Sequence, residues 1–306
     1  MAADESLSRI EGPWTHRGVH AGGTRFHVVE SGKGPLVLLL HGFPQFWWTW
    51  RHQLVSLPAA GYRAVAVDLR GYGASDKPPR GYDLPTLAQD AAGLVRALGE
   101  TGAIVVGHDW GGMLAWTMAV LDPKSVHRLV PVSAPHPLRL RRSLVTDPFG
   151  QLRASVGRVG FQLPFLPEWR LTARGGARVG RLLDRWSGPR KPEEDVAAKY
   201  QEVFRIPGVA HCALEYHRWL GRSQFRPDGL RYARSMRTEI EAPTLHVHGA
   251  LDTCVLPRTA HGSGRYVTGS YRWRLLEGVG HFPHEENPER FDAELIAWLD
   301  NEEVAR

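Results

Sequence analysis

Short apolar runs recur along the chain at residues 36–40, 64–67, 103–106, 129–132, 244–247 and 272–276. Their length suits strands, and the unbroken run LVLLL at 36–40 suits a strand covered on both faces. Ahead of it FHVVES alternates, and a Gly-Lys-Gly-Pro turn separates the two. This predicts an alternating, half-buried strand followed by a fully buried one. Between the runs lie stretches with helical spacing, such as 84–98 and 113–121. Strands alternating with helices predict an α/β fold, a mainly parallel sheet flanked by helices.

One interval breaks the alternation. From about Pro135 to Met236 no strand-like run appears, and the segment offers Arg-rich and Trp-rich helical pieces broken by prolines. The strand pattern resumes at EAPTLHVHG. This predicts a helical cap, or lid, inserted between two strands of the sheet. The core's first part is then residues 1–135, the cap 136–235 and the core's second part 236–306. With 306 residues and 42% hydrophobic composition, one large domain with an insertion buries a core more economically than two independent domains.

Charge refines the partner classes. The formal net charge is +6, but the basic residues concentrate between Arg139 and Arg190, in LRLRRSLV and EWRLTARGGARVGRLLDRW. A solvated basic face on the cap is the simplest reading; the alternative is a surface docking on a bilayer or an acidic partner. No nucleic-acid motif accompanies the charge, which predicts no nucleic-acid partner. Residues 1–10 carry two acidic groups and no apolar run, and no stretch approaches the roughly 18 apolar residues of a membrane span. A cytoplasmic chain, monomer or homodimer, is expected. Cys212 and Cys254 are too few for a disulfide framework and lack metal-type spacing. They are expected to be small buried side chains.

The chemistry concentrates in four motifs. AIVVGHDWGGMLAW reads as strand, Gly-X-nucleophile-X-Gly turn and helix, with Asp109 where a serine commonly sits. Such a turn is too sharp for side chains at its glycines and aims residue 109 at the mouth of the sheet. A carboxylate there can attack carbon and form an alkyl ester with the protein; the plainer alternative is a helix cap. LLLHGFPQFWWTW leaves a strand through His41-Gly42-Phe43, so the Phe43 amide, with that of Trp110, predicts a two-donor oxyanion hole. The aromatic residues after it read as core and pocket wall. HVHGALDTCVLP places Asp252 after a strand, and LLEGVGHFPHEENPERF places His281 after the last strand. Nucleophile, acid and histidine in that order predict Asp252 orienting His281, which activates water. His246, His248 and His284 read as core or surface histidines, and a metal site at His246 and His248 lacks further ligand spacing. No metal or cofactor is predicted. The loop DLRGYGASD, from Asp68 to Asp76, reads as structural support for the rim of the site.

Together HGFPQFWWTWR, DLRGYGASDKP, GHDWGG, LDTCVLP and GHFPHEENPE make the chain resemble, along nearly its whole length, the epoxide hydrolases of the α/β-hydrolase superfamily. Asp109 sets it apart from the serine esterases. Phe43 after His41-Gly42 is closer to epoxide hydrolases than to haloalkane dehalogenases with asparagine there. Trp110 stands where fluoroacetate-type dehalogenases carry arginine. The resemblance implies a small apolar epoxide-type substrate, opened to a diol through an ester on Asp109, in a pocket expected to include Trp110, Phe43, Phe161 and Trp169.

The cap departs from the family pattern. The resemblance implies two cap tyrosines that hold and protonate the epoxide oxygen, a task a neutral phenol performs without a charged group in an apolar pocket. In SVGRVGFQLPFLPE, Gly157 stands about where the first belongs. In Ala213-Leu214-Glu215-Tyr216-His217-Arg218, His217 occupies the second's place and Tyr216 lies one step away. His217 is the leading candidate donor and Tyr216 the next, with Tyr200 or Tyr232 reaching the pocket through an altered cap as a further reading. Glu215 and Arg218 read as a salt-bridged helix surface. Two other functions share the motifs: a haloalkane-type dehalogenase using the same nucleophile, and a non-catalytic binding protein on the same fold.

Overall fold

A computed structural model describes residues 4–301. Of the N-terminal ten residues read above, the first three lie outside this range, as do residues 302–306. Eight strands form one sheet: β1 (Thr15–Ala21), β2 (Thr24–Ser31), β3 (Leu36–Leu40), β4 (Arg63–Val67), β5 (Ala103–His108), β6 (Val126–Val132), β7 (Thr244–Gly249) and β8 (Tyr271–Leu276). Their spatial order is β1-β2-β4-β3-β5-β6-β7-β8. β1 and β2 run antiparallel to their neighbours and the other pairs are parallel. The α/β expectation from the alternating pattern is met.

The apolar runs become strands because each can bury both faces. β3 and β5 are buried along their whole length, and the helices Leu84–Ala97 and Trp110–Leu121 pack on the sheet. Asp83 caps the first of these through its carboxylate and the Thr86 amide at 2.9 Å. The second is buried on nearly every side, so its sequence shows little amphipathic periodicity. β2 differs from the alternation expected of it. Phe26, His27, Val28 and Val29 are all buried, because Trp47 and the helix Gln53–Ala59 cover the face that would otherwise meet water.

Every chain segment that carries candidate chemistry leaves the same, C-terminal edge of the sheet, where α/β folds place their ligands. The connection from β6 to β7 is a run of helices, among them Pro137–Thr146, Ala177–Trp186, Glu194–Val203, Val209–Ser223 and Pro227–Ser235. These lie over that edge. Among the described residues, most of the exposed large apolar side chains fall in this connection, including Phe149, Phe165, Trp169 and Phe225. Both cysteines are buried. No helix among the described residues is long and apolar enough to cross a membrane.

Asp68, at the end of β4, ties the rim together, as its glycine-rich loop suggested. Its buried carboxylate accepts from His27 Nδ1 at 2.7 Å, the Trp47 amide at 3.1 Å and the Ala74 amide at 3.0 Å. Burial acts to raise its pKa, but the His27 hydrogen bond and nearby charge outweigh this and hold it below the ordinary value. Asp68→Ala leaves two amides and an imidazole without their acceptor. The expected cost is about 3–5 kcal/mol, read as a lower midpoint in urea unfolding; a change below about 1 kcal/mol would contradict this role.

Burial also makes the fold acid-sensitive. It pushes His41 down to about 4 and His108 and His136 down to about 3. Their folded values lie below the unfolded value of about 6.5, so as pH falls from 6.5 toward 4 the unfolded chain binds protons that the native state refuses. Stability therefore falls with falling pH, by up to about 1.4 kcal/mol per pH unit for each such histidine. A thermal melt at pH 5 should have a clearly lower midpoint than one at pH 7; equal midpoints would show that these rings are solvated.

Candidate active site

Asp109 follows β5 in a strained conformation, φ 49° and ψ −110°, a region that non-glycine residues rarely adopt. The surroundings impose it. The Asp109 amide donates to the Val132 carbonyl at 3.0 Å, and its own carbonyl accepts from the Met113 amide at 2.9 Å. The turn can press this close only because of its glycines. A Cβ on Gly107 would lie 2.1 Å from the Gly111 carbonyl oxygen, and one on Gly111 would lie 2.1 Å from the Leu40 carbonyl oxygen. The Gly111 amide donates to the His41 carbonyl at 3.0 Å. The turn after β3 is thereby held against the turn after β5.

That contact aligns the first donor of the predicted oxyanion hole. The Phe43 amide donates to Asp109 Oδ2 at 3.0 Å, while Trp110 opens the helix directly after the carboxylate. The other carboxylate oxygen, Oδ1, lies 3.7 Å from His281 Nε2. This is an ion-pair distance, too long for a hydrogen bond, and it leaves Nε2 without a hydrogen-bond partner. On its opposite side His281 Nδ1 lies 2.7 Å from Asp252 Oδ2. The structure therefore brings Asp109, His281 and Asp252 into one line.

Asp252 is buried and fully bonded. Oδ1 accepts from the Cys254 and Val255 amides at 2.8 and 2.9 Å, and Oδ2 lies 3.2 Å from His248 Nε2 as well as against His281. Burial favours its protonated form, but the charge of His281 and the His248 hydrogen bond prevail and hold its pKa well below the ordinary value. Asp109 likewise is brought down to about 2: burial opposes ionisation, and His281, His108 and the Phe43 amide overcome it. Between the two carboxylates, and against its own burial, His281 is raised well above the ordinary imidazole value. The resting site is an imidazolium between two carboxylates.

Two supporting residues escaped the sequence reading. His248, read as a core or surface histidine, is a second ring on Asp252. Glu286 is nearly buried, and its carboxylate accepts from the amides of Gly188, Gly280 and Phe282 at 2.8, 2.8 and 3.0 Å. It clamps the loop that carries His281 to the helical connection, where the His281 amide also donates to the Trp186 carbonyl at 2.9 Å. The motif GHFPHEENPE displays Glu286, but a carboxylate among turn residues does not announce three backbone amides as partners.

Above Asp109 lies a cavity of about 250 Å³. Its walls are chiefly apolar, with Met113, Leu140, Leu144, Val159 and Leu220 prominent, and Asp109, Trp110 and His217 reach its surface. His217 is buried against the rings of Phe43, Trp110 and Phe161. Its Nε2 accepts the Trp110 indole N–H at 3.2 Å, which assigns the ring hydrogen to Nδ1. Burial, aided by the positive charge of Arg158, pushes its pKa down to about 3. The ring is neutral.

Other expectations for the pocket are corrected. Tyr216 donates its hydroxyl to the Arg70 carbonyl at 2.7 Å, among Tyr72 and Tyr82 and away from the cavity. One helical step separates it from His217, and that step turns it to the core. Tyr200 is bonded to Glu285, and Tyr232 to Thr117 at 2.8 Å; neither lines the cavity. Trp169 is 64% exposed on the outside of its helix, so it is no part of the wall. Phe43 and Phe161 back the cavity by packing on each other and on His217. Arg218 belongs to no solvated surface. Its buried guanidinium pairs with Glu168 at 2.7 Å and Glu215 at 3.1 Å and donates to the Phe161 and Leu163 carbonyls, anchoring the segment that carries Phe161.

Comparisons with known proteins give the family. Residues 35–288 match the family model described as alpha/beta hydrolase fold. The chain is 34% identical to Epoxide hydrolase 3 of Xenopus tropicalis, over 87% of this chain and 72% of that one. It is 44% identical to Epoxide hydrolase 2 of Siraitia grosvenorii, over 89% and 94% respectively. Among solved structures, epoxide hydrolase A of Mycobacterium thermoresistibile superposes with a TM-score of 0.78 at 28% identity, covering 94% of this chain and 98% of that one. A Bacillus megaterium epoxide hydrolase in complex with an inhibitor gives a TM-score of 0.80 at 25% identity, covering 93% and 100%. The chain belongs to the α/β-hydrolase fold family, and within it to the epoxide hydrolases.

Proposed function

We propose that this protein hydrolyses epoxides to vicinal diols by two-step covalent catalysis, with residues 136–235 acting as the cap over the site. The observation that carries this reading is the placement of the two oxygens of Asp109. Oδ2 is held by the Phe43 amide, so Oδ1 is the free nucleophile. In the first step the bond from Oδ1 to an epoxide carbon forms as the ring C–O bond breaks. The departing oxygen is met by His217 Nδ1–H, a neutral donor in the role of the phenol. The new ester keeps Oδ2 as its carbonyl oxygen, already in the hole.

Esterification removes the charge of Asp109 and with it one of the two anions that stabilise the His281 imidazolium. His281 gives up its proton, one proton reaches the alkoxide through water, and Nε2 becomes a base beside the ester. In the second step it takes a proton from water as the hydroxide oxygen bonds to the Asp109 carboxyl carbon. The oxyanion forms on Oδ2, the bond from the carboxyl carbon to the ester oxygen then breaks, the departing alkoxide takes the proton of the newly formed Asp109 carboxyl group, and the diol leaves with Asp109 ionised and His281 again protonated. Asp252, supported by His248, holds the ring through both steps. The haloalkane reading has less support, because its halide needs an indole N–H in the cavity and Trp110 directs its own to His217.

The test uses intact-protein mass spectrometry with a small apolar epoxide. His281→Gln should slow ester hydrolysis roughly 10³-fold and accumulate an adduct of the whole epoxide on Asp109. His217→Phe should slow adduct formation by about 10²-fold or more. Asp109 stays ionised far below neutrality, so wild-type alkylation should hold its rate from pH 8 to 5 while hydrolysis slows as His281 keeps its proton. Absence of any adduct in His281→Gln would sink the assigned reaction.

The finer partner reading is contact of the cap with an anionic bilayer. Phe149 and Phe165 are 90% and 84% exposed, and Arg142, Arg153, Arg170 and Arg174 are exposed in the same stretch. Each basic side chain at an anionic surface is worth about 1 kcal/mol, and the aromatic rings suit the headgroup boundary. The protein should float with phosphatidylserine-containing vesicles and less with neutral ones, and Phe149→Ser with Phe165→Ser should reduce the effect. Equal recovery from both vesicle types would leave the basic face as a solvated one.

A further inference from the structure

Arg158 lines the same cavity as Asp109 and, beyond helping to keep His217 neutral, neither gives nor takes a proton or bond in the two steps above. Its three hydrogen bonds all go to uncharged acceptors: Ser155 Oγ at 2.7 Å, the Cys254 carbonyl at 3.2 Å and Cys254 Sγ at 3.0 Å. A guanidinium has five N–H groups, so donors remain. Like the half-buried Arg128 and Arg139, whose acceptors are backbone carbonyls, Arg158 has no carboxylate partner among the described residues, whereas Arg51 is paired with Glu285 at 2.7 Å, Arg70 with Asp90 at 2.6 Å, Arg63 with Glu30 at 2.7 Å and Arg218 with Glu168 at 2.7 Å. That is the ordinary requirement for a charge removed from water. Arg158 is the half-buried arginine that lines the cavity above Asp109.

The cavity gives the charge a use. Asp109 is ionised at its floor, so an anionic ligand entering it meets like charge. Arg158 is carried on the segment 153–162, which roofs the cavity and whose Val159 is both part of the wall and open to solvent. Among the described residues that line the cavity, Arg158 is the only one with a permanent positive charge, since His217 is held neutral. Apolar wall lies around both. A molecule with an anionic end, an apolar middle and a reactive end fits this order, and a single guanidinium is matched by a carboxylate.

We infer that Arg158 is the anchor for a carboxylate on ligands of this cavity. Resting on the ring-opening reading, the preferred substrates are then epoxides that carry a carboxylate on an apolar chain. The carboxylate at Arg158 offsets the repulsion from Asp109 and orients the chain so that the epoxide lies at the nucleophile. Arg158 touches the unreactive end of the substrate and sets specificity.

The test compares acid with neutral partner, using the full chain. By titration calorimetry, the wild type should bind octanoate more tightly than octanamide. Arg158→Gln should lower the octanoate-to-octanamide affinity ratio about 30-fold, the worth of a hydrogen bond to a charged group. Arg158→Lys, which keeps the charge, should restore most of it. The ratio of kcat/KM for 7,8-epoxyoctanoate to that for its methyl ester should fall in parallel. A merely structural Arg158 would weaken acid and neutral compounds alike and leave both ratios unchanged; that result, or a wild type that prefers octanamide, overturns the inference. If the octanoate preference depends on Arg158 while neither epoxide is opened, the anchor stands and the ring-opening reading falls.

Discussion

The close approach of two turns underlies the whole site. The end of β3 and the turn after β5 touch through backbone alone, Leu40 and His41 carbonyls against Gly111. No side chain can be inserted there. This contact puts a backbone amide from one strand end onto a carboxylate from the next, and it keeps Asp109 at a positive φ that an aspartate would not choose. The strain, of order 1–3 kcal/mol, is supported by the buried sheet beneath, in which β3 and β5 pair along their length. A nucleophile held in this way needs no reorganisation to meet its oxyanion hole, and preorganised dipoles of this kind are what transition states reward.

The electrostatics follow from that geometry. Two carboxylates flank one imidazole, and each is itself bonded to backbone amides. Burial alone would neutralise all three groups. The ion pairs reverse that tendency, so the resting state is ionised, and the direction of each displacement from the ordinary pKa matches its part in the cycle. The asymmetry between Asp109 and Asp252 matters. Asp252 carries three hydrogen bonds and a 3.2 Å contact with His248 and is enclosed, which suits a permanent support. Asp109 keeps an oxygen toward the cavity, which suits a group that must react.

The core and the central chemistry were legible in the sequence because both are written locally. A short run such as LVLLL bounded by turn residues suits a buried strand, and GHDWGG carries its own turn geometry. What could not be read depends on contacts between distant segments. β1 holds few buried residues, so its pairing with β2, rather than hydrophobic patterning, makes it a strand. β2 alternates in sequence yet is covered on both faces, since Trp47 comes from another loop. In the cap the pattern shows amphipathic helices but not which neighbour each face meets. Trp169, aromatic and expected inside, is outside; Arg218, charged and expected outside, is inside with two glutamates. Leu140 and Leu144, spaced by one turn in an Arg-rich helix, look like any amphipathic face until that helix is laid over Asp109.

The departure of the cap from its relatives' pattern has one physical explanation that joins His217 to Arg158. A donor to a developing alkoxide in an apolar cavity must stay neutral at rest, or the cavity bears a buried charge. A phenol is neutral by its chemistry. An imidazole is neutral only if its surroundings suppress its protonation, and two features here do so: the rings of Phe43, Trp110 and Phe161 that bury it, and the guanidinium nearby. The Trp110 indole adds the third element by engaging Nε2, so the tautomer with its hydrogen on Nδ1 is the one present. Arg158 thus acts on both ends of the problem, holding His217 in its donor form and leaving one positive charge for a ligand to match. Replacing a tyrosine by histidine in such a cavity is tolerable when a fixed cation stands close by, and the cation in turn is tolerable when the ligand brings an anion.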